Sequence, residues 1–130
     1  MTKDELKQKV CEAIAQRKTD IKALAMDIWQ EPELGYKETK TAAKVESAFT
    51  ALNIPFKNQL ALTGVKASLK GGKGSKHSIC VIGELDAIIC ADHPDADPIS
   101  GAAHCCGHNV QIANMMAGTM GLIDSGAMDY

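Results

Sequence analysis

The chain has 130 residues, of which 45% are apolar, 23% charged and only 4% aromatic, with a formal net charge of −2. That length holds one domain rather than two ordinary ones, and the composition suits a folded core of Ala, Leu, Ile, Val and Met, not a disordered tail. The charge offers nothing to nucleic acid or an anionic membrane, and no apolar run approaches the ~18 residues of a spanning helix. The opening MTKDELKQKV lacks the apolar core of an export signal. Five cysteines without a CxxC pair then predict reduced thiols in the cytoplasm.

The first thirty residues carry a helical pattern. Thr2 and Glu5 have the spacing of a capping box, and Leu6, Val10, Ile14, Ile21, Leu24 and Ile28 recur on one face. Thr19-Asp20 is the expected break, and Arg17 interrupts the apolar stripe, which favours a packed surface helix over a coiled coil. Pro32 and Gly35 end this region, and a second helix is predicted over 38–52, with Ala42, Val45, Phe49 and Leu52 on one face and Pro55 closing it. A strand is expected over 65–70, a glycine turn over 71–75 and a second strand over 77–85. The uninterrupted Ile79-Cys80-Val81-Ile82 predicts burial on both faces, as in a parallel sheet.

Residues 91–100 form a polar, acidic loop with Pro94 and Pro98. A helix over 110–125 is predicted to be buried, with Asn109 as its N-cap. Its Ala113, Ala117, Gly118 and Gly121 suit close backbone packing. Together the elements predict an α/β fold, a three-layer segment with a mostly parallel sheet. The chain stops just after this last helix, where a parallel sheet wants another strand, and so reads as cut rather than finished.

Two clusters carry chemistry. In His104-Cys105-Cys106-Gly107-His108-Asn109, an extended backbone places His104, Cys106 and His108 on one side and turns Cys105 toward the core. A thiolate and an imidazole two residues apart suit Zn²⁺ or a related divalent ion. Free cysteine is also among the most buried residue types, so spacing alone leaves a metal site and simple packing evenly balanced. In Glu84-Leu85-Asp86 two carboxylates share one side of a strand end, where open α/β sheets collect their ligands. A solvated strand end is the competing reading.

Other motifs carry less. Gly71-Gly72-Lys73-Gly74-Ser75 lacks the spacing of a phosphate loop. Lys66, Lys70, Lys73 and Lys76 have no aromatic residues beside them to stack bases. The loop Asp92-His93-Pro94-Asp95-Ala96-Asp97 lacks the glycine and closing glutamate of a calcium loop. Met115, Met116 and Met120 are core filler.

Taken together, Glu84-Leu85-Asp86-Ala87-Ile88 and His104-Cys105-Cys106-Gly107-His108-Asn109 resemble the D-x-D-A-L and H-A-C-G-H-D motifs of a zinc amidohydrolase family. It includes hippurate hydrolase, aminobenzoyl-glutamate hydrolase and the indole-acetyl-amino-acid hydrolases, and is related to aminoacylase and carboxypeptidase G. Pro32-Glu33-Leu34-Gly35-Tyr36-Lys37-Glu38 resembles its PELGxxE signature. The resemblance implies the first part of a metallopeptidase catalytic domain, with the dimerisation domain and the C-terminal catalytic part absent from residues 1–130. It implies metal-dependent cleavage of amide bonds in N-acyl amino acids or small peptides. The metal is Zn²⁺, or Mn²⁺ or Co²⁺, with two ions in a complete enzyme.

By the same resemblance Cys106 and His108 are metal ligands and Asp86 is the catalytic aspartate that orients the centre. Glu84 stands where a relative's first metal-binding residue lies. The family's alanine is replaced by Cys105, its aspartate by Asn109 and a frequent histidine by Gln111. Asn109 resembles the C-G-H-N of a second aminobenzoyl-glutamate subunit. The general-base glutamate of the family belongs to a Glu-Glu pair, and no such pair occurs in these residues. The expectation is therefore weak metal binding, no hydrolysis by this chain alone, and self-association through apolar surface left uncovered. The competing class is a non-catalytic metal- or partner-binding module that keeps the fold. A reading frame continuing past Tyr130 into a Glu-Glu pair discriminates the two.

Overall fold

In the computed structural model, which describes residues 1–73 and 77–130, the predicted capping box opens helix α1 (Lys3–Gln16). The Glu5 carboxylate accepts from the Thr2 amide at 2.7 Å, and the Thr2 hydroxyl accepts from the Glu5 amide at 3.2 Å. The helix breaks at Arg17, two residues before the expected Thr19-Asp20, and α2 (Lys18–Gln30) follows at once. The position of Arg17 on the apolar stripe has a tertiary explanation. Its guanidinium reaches Asp124 through Nε at 2.7 Å and through a second nitrogen at 3.3 Å, a two-pronged geometry that suits a carboxylate.

Helix α3 (Thr39–Ala51) buries Ala42, Val45 and Phe49 as its periodicity predicts. The next elements depart from expectation. Strands β1 (Phe56–Leu60) and β2 (Gly64–Ala67) form an antiparallel hairpin that pairs Phe56 with Ala67 and Leu60 with Gly64. The polar run Lys57-Asn58-Gln59 gave β1 no strand pattern, and the expected strand over 65–70 survives only as β2. The predicted turn over 71–75 lies partly outside the described residues.

The expected strand over 77–85 is absent: no strand is assigned across those residues. Ile79, predicted to be buried, is 91% exposed, and Val81 and Ile82 are exposed as well. An interior strand needs a hydrogen-bonded strand at each edge, and among the described residues no strand runs beside this segment. The mostly parallel, three-layer sheet is corrected accordingly. Two small antiparallel sheets are present, the second pairing β3 (Ile88–Ile89) with β4 (Ala102–Ala103). The parallel contact among the described residues is one bridge, Leu34 to Ala87. The fold is α/β only in the general sense of mixed helices and short strands.

The last helix, α4 (His108–Asp124), is the centre of the core. Ile112 and Met116 are almost fully buried and pack in one cluster with Ile28, Val45, Phe49, Ile54 and Met120. A Cβ at Gly121 would stand 2.5 Å from Ile14 Cγ1 and 3.1 Å from Val10 Cγ1, so the close approach of α1 requires glycine there. Gly118 faces open space instead, and the small-residue argument holds for one of the two glycines. Asn109 is not the N-cap. Gly107 takes that place, and Asn109, inside the first turn, donates to the Ala25 carbonyl at 3.2 Å. No described helix is long and apolar enough to cross a membrane.

Two outcomes are expected. Met116→Ala should lower stability by about 2–5 kcal/mol, read as a lower urea midpoint, because a buried methionine leaves a cavity. The Arg17 pairing holds the Asp124 carboxyl below its ordinary value of 3.8, so the native state binds fewer protons than the unfolded chain. The pair's stabilisation is complete above pH 3.8 and disappears as pH falls through the lower folded value. Asp124→Asn should flatten that part of an acid unfolding curve.

Candidate metal centre

The site begins with backbone capping. The Glu33 carboxylate accepts from the amides of Lys40 and Thr41 and the hydroxyls of Thr39 and Thr41, at 2.8–3.3 Å. A carboxylate on the orphan amides of a helix start is stabilised by both hydrogen bonding and the helix dipole. Glu38 is buried and accepts from the Tyr36 amide at 2.9 Å and the Thr63 hydroxyl at 2.8 Å. The two glutamates of the Pro32–Glu38 motif thus fix a turn before α3.

That turn holds the segment bearing the second motif. The Glu33 carbonyl accepts from the Ala87 amide at 2.7 Å, beside the Leu34–Ala87 bridge. On the other side Gly83 abuts Ile112, and Gln111 grips Glu84: its carbonyl oxygen accepts the Glu84 amide at 2.5 Å and its amide donates to Oε2 at 3.1 Å. Sequence reasoning treated Gln111 only as a departure from the family pattern and missed this positioning role; its place one turn along α4 from Gly107 was the available signal.

Asp86 and Glu84 meet His108 on opposite sides of its ring, although residues 84–86 do not form the strand on which their shared side was expected. His108 Nδ1 lies 2.8 Å from the Asp86 carbonyl and 3.0 Å from its Oδ1. Both are acceptors, which assigns the proton to Nδ1. Nε2 faces Glu84 Oε2 at 3.1 Å. A metal-binding histidine is usually oriented by a carboxylate through one nitrogen, as Asp86 orients His108, and here Glu84 stands beside the other. Two ligands of a tetrahedral zinc stand ~3.3 Å apart for bonds near 2.0–2.1 Å. The donor chemistry at Nε2 and Oε2 therefore fits a zinc-class cation.

The thiols behave differently from the expected alternation. Residues 105–106 form a turn, and Gly107 takes φ +91°, a left-handed value that glycine adopts without strain. Alternation requires an extended chain, so the prediction that Cys105 faces the core is corrected: Cys105 and Cys106 are both exposed. His104 is instead the buried member, with no close hydrogen bond at either ring nitrogen among the described residues. Burial and the nearby His108 lower its pKa, favouring the neutral ring.

No three His, Cys, Asp or Glu side chains among the described residues gather around one metal position. The reason is geometric, since Asp86 and Glu84 hold opposite nitrogens of the same ring. The acidic loop is not a cation site either. Asp97 Oδ1 accepts from the Ile99 and Ser100 amides and the Ser100 hydroxyl, and the Ser100 bonds hold its carboxyl below the ordinary range. His93 packs edge-on against Trp29 at 5.7 Å.

Curated relatives share this segment. The chain is 30% identical over 89 residues to "Putative amidohydrolase YhaA" of Bacillus subtilis, which covers 66% of this chain and 22% of that protein. It is 28% identical over 100 residues to thermostable carboxypeptidase 2 of Saccharolobus solfataricus, covering 74% and 25%. It is 29% identical over 102 residues to N-acetylcysteine deacetylase of Bacillus subtilis, covering 72% and 26%. No family model matches, and no solved structure matches.

The class defined by these relatives is hydrolytic. Over this segment the chain is similar to these amidohydrolases and peptidases, as its three motifs imply. It spans about a quarter of the length of the curated relatives it matches.

The capping role of Glu33 is testable. Glu33→Ala should destabilise the chain by about 1–2 kcal/mol, the usual cost of a lost helix cap. It should also raise the exchange rate of the Ala87 amide as the turn before α3 loosens, which hydrogen-exchange mass spectrometry reads directly.

Proposed function

We propose that this chain supplies part of the metal centre of an amidohydrolase that cleaves N-acyl amino acids or small peptides. The observation that carries this reading is the His108 ring, oriented by Asp86 through Nδ1 and presenting Nε2 beside Glu84. His108 and Cys106 are the proposed ligands and Asp86 the group that fixes the imidazole. The thiolate, imidazole and carboxylate chemistry suits Zn²⁺, with Mn²⁺ or Co²⁺ as substitutes. Such an ion polarises a scissile carbonyl and activates a water near neutral pH. Gln111 holds Glu84 in position, and the turn ending in Gly107 presents Cys106 at the surface.

The general base and the remaining ligands are proposed to come from residues other than these 130. Weak zinc binding follows, because Cys106 and His108, even with Glu84 beside Nε2, leave a tetrahedral site incomplete. In zinc titrations, Cys106→Ser or His108→Ala should abolish saturable binding. The 130-residue chain should not hydrolyse N-acyl amino acids. Joined to the complementary portion of a matching amidohydrolase, it should, with the His108→Ala fusion inactive. Zinc binding indifferent to both Cys106 and His108 would overturn the assignment.

Self-association is proposed to use the exposed Ile79, Val81 and Ile82. Val81→Lys with Ile82→Lys should shift sedimentation equilibrium toward monomer.

A further inference from the structure

One side chain of α4 holds Glu84 at two points. Gln111 follows His108 by three residues, so both stand on one side of the first turns of the helix. Its carbonyl oxygen accepts the Glu84 amide at 2.5 Å, and its amide nitrogen donates to Glu84 Oε2 at 3.1 Å. A glutamine carries an acceptor and donors on one planar group, which lets it fix the backbone and the carboxylate of the same residue together. The Glu84 side chain is 56% exposed. Packing leaves such a side chain free to turn, so the Gln111 bonds are what keep Oε2 at the imidazole.

The contact they hold is one between two acceptors. The His108 proton lies on Nδ1, where the Asp86 carbonyl and carboxylate both accept it. Nε2 and Oε2 therefore present lone pairs to each other at 3.1 Å. That pairing needs a cation between its members, and its spacing is close to the ~3.3 Å that separates two donors of one tetrahedral zinc. A divalent ion and an imidazolium proton both answer the need, and metal titration separates them. Cys106 does not join this pair in one cluster, so Glu84 and His108 are the part of the centre arranged before an ion arrives.

We propose that Glu84 is a further donor to the ion and that Gln111 is the residue that positions it. This role rests on the proposed metal centre and adds a control of metal affinity by an uncharged side chain. Gln111 acts through Glu84 alone, since its carbonyl oxygen and its amide are both engaged on that residue.

The experiment titrates the full 130-residue chain and its variants with Zn²⁺ alone, read by calorimetry, and with Co²⁺ alone, read by visible absorption. Glu84→Gln should weaken both ions at least tenfold. Gln111→Met, close in shape but unable to hydrogen-bond, should cost ~10–100-fold, the usual range for a group that orients a ligand. Both variants should change the Co²⁺ spectrum. The double variant should bind no more weakly than Glu84→Gln, within roughly twofold, because residues that act as one unit are not additive. Losses that multiply instead would overturn the positioning role. Zinc binding that still requires Cys106 and His108 but is unchanged by Glu84→Gln would overturn this inference and leave the proposed centre standing. Binding indifferent to Cys106 and His108 would overturn both. If Gln111→Met does not fold by circular dichroism, Glu84→Asp decides the matter. It keeps the charge but withdraws the carboxylate by one methylene, so it should also lose at least tenfold, and retained affinity would overturn the proposal.

Discussion

The burial of α4 is the constraint on which the other parts rest. Its inner face, through Ile112, Met116 and Met120, joins residues of α2 and α3 in one apolar cluster, and α1 closes against Gly121. Non-directional burial of this kind fixes where a helix lies but leaves its axial position loosely defined. Polar contacts at its two ends supply that definition. Asn109 donates to the Ala25 carbonyl near the start, and Arg17 pairs with Asp124 at the finish. The first turn of α4 carries His108 and Gln111, so the core packing also sets the position of the candidate centre.

A second network connects the glutamate motif to that centre. Glu33 serves twice, its side chain capping α3 and its carbonyl receiving the Ala87 amide. Glu38 holds the same turn through Tyr36 and Thr63. These residues do not touch His108. They locate the backbone that leads into Asp86, and Asp86 orients the imidazole. The spacing of Pro32–Glu38 thus has a conformational reason that is separate from the chemistry of the site.

How much of the site was legible in the sequence varied with the range of the interaction. Glu84 and Asp86 were singled out by a strand geometry that is absent, and it is the His108 ring between them that brings them together; His108 and Cys106 stood out by residue type within a recognisable motif. Gln111 was missed because its partner lies 27 residues earlier. The exposure of Cys105 was missed because alternation was assumed where Gly107 and the preceding turn had bent the chain.

Local rules gave the helices: the Thr2–Glu5 box, the breaks around Pro32 and Pro55, the periodic apolar face of α3 and the apolar run of α4 each act within a few residues. The sequence by itself therefore determined which segments are helical. The tertiary structure alone decided strand pairing. The run Ile79-Cys80-Val81-Ile82 has the apolar character of an interior strand, yet a strand exists only when another backbone meets its amides and carbonyls. A segment's own residues encode its appetite for burial, while its hydrogen-bond partners belong to distant chain, and that is why the helices were predictable and the sheet was not.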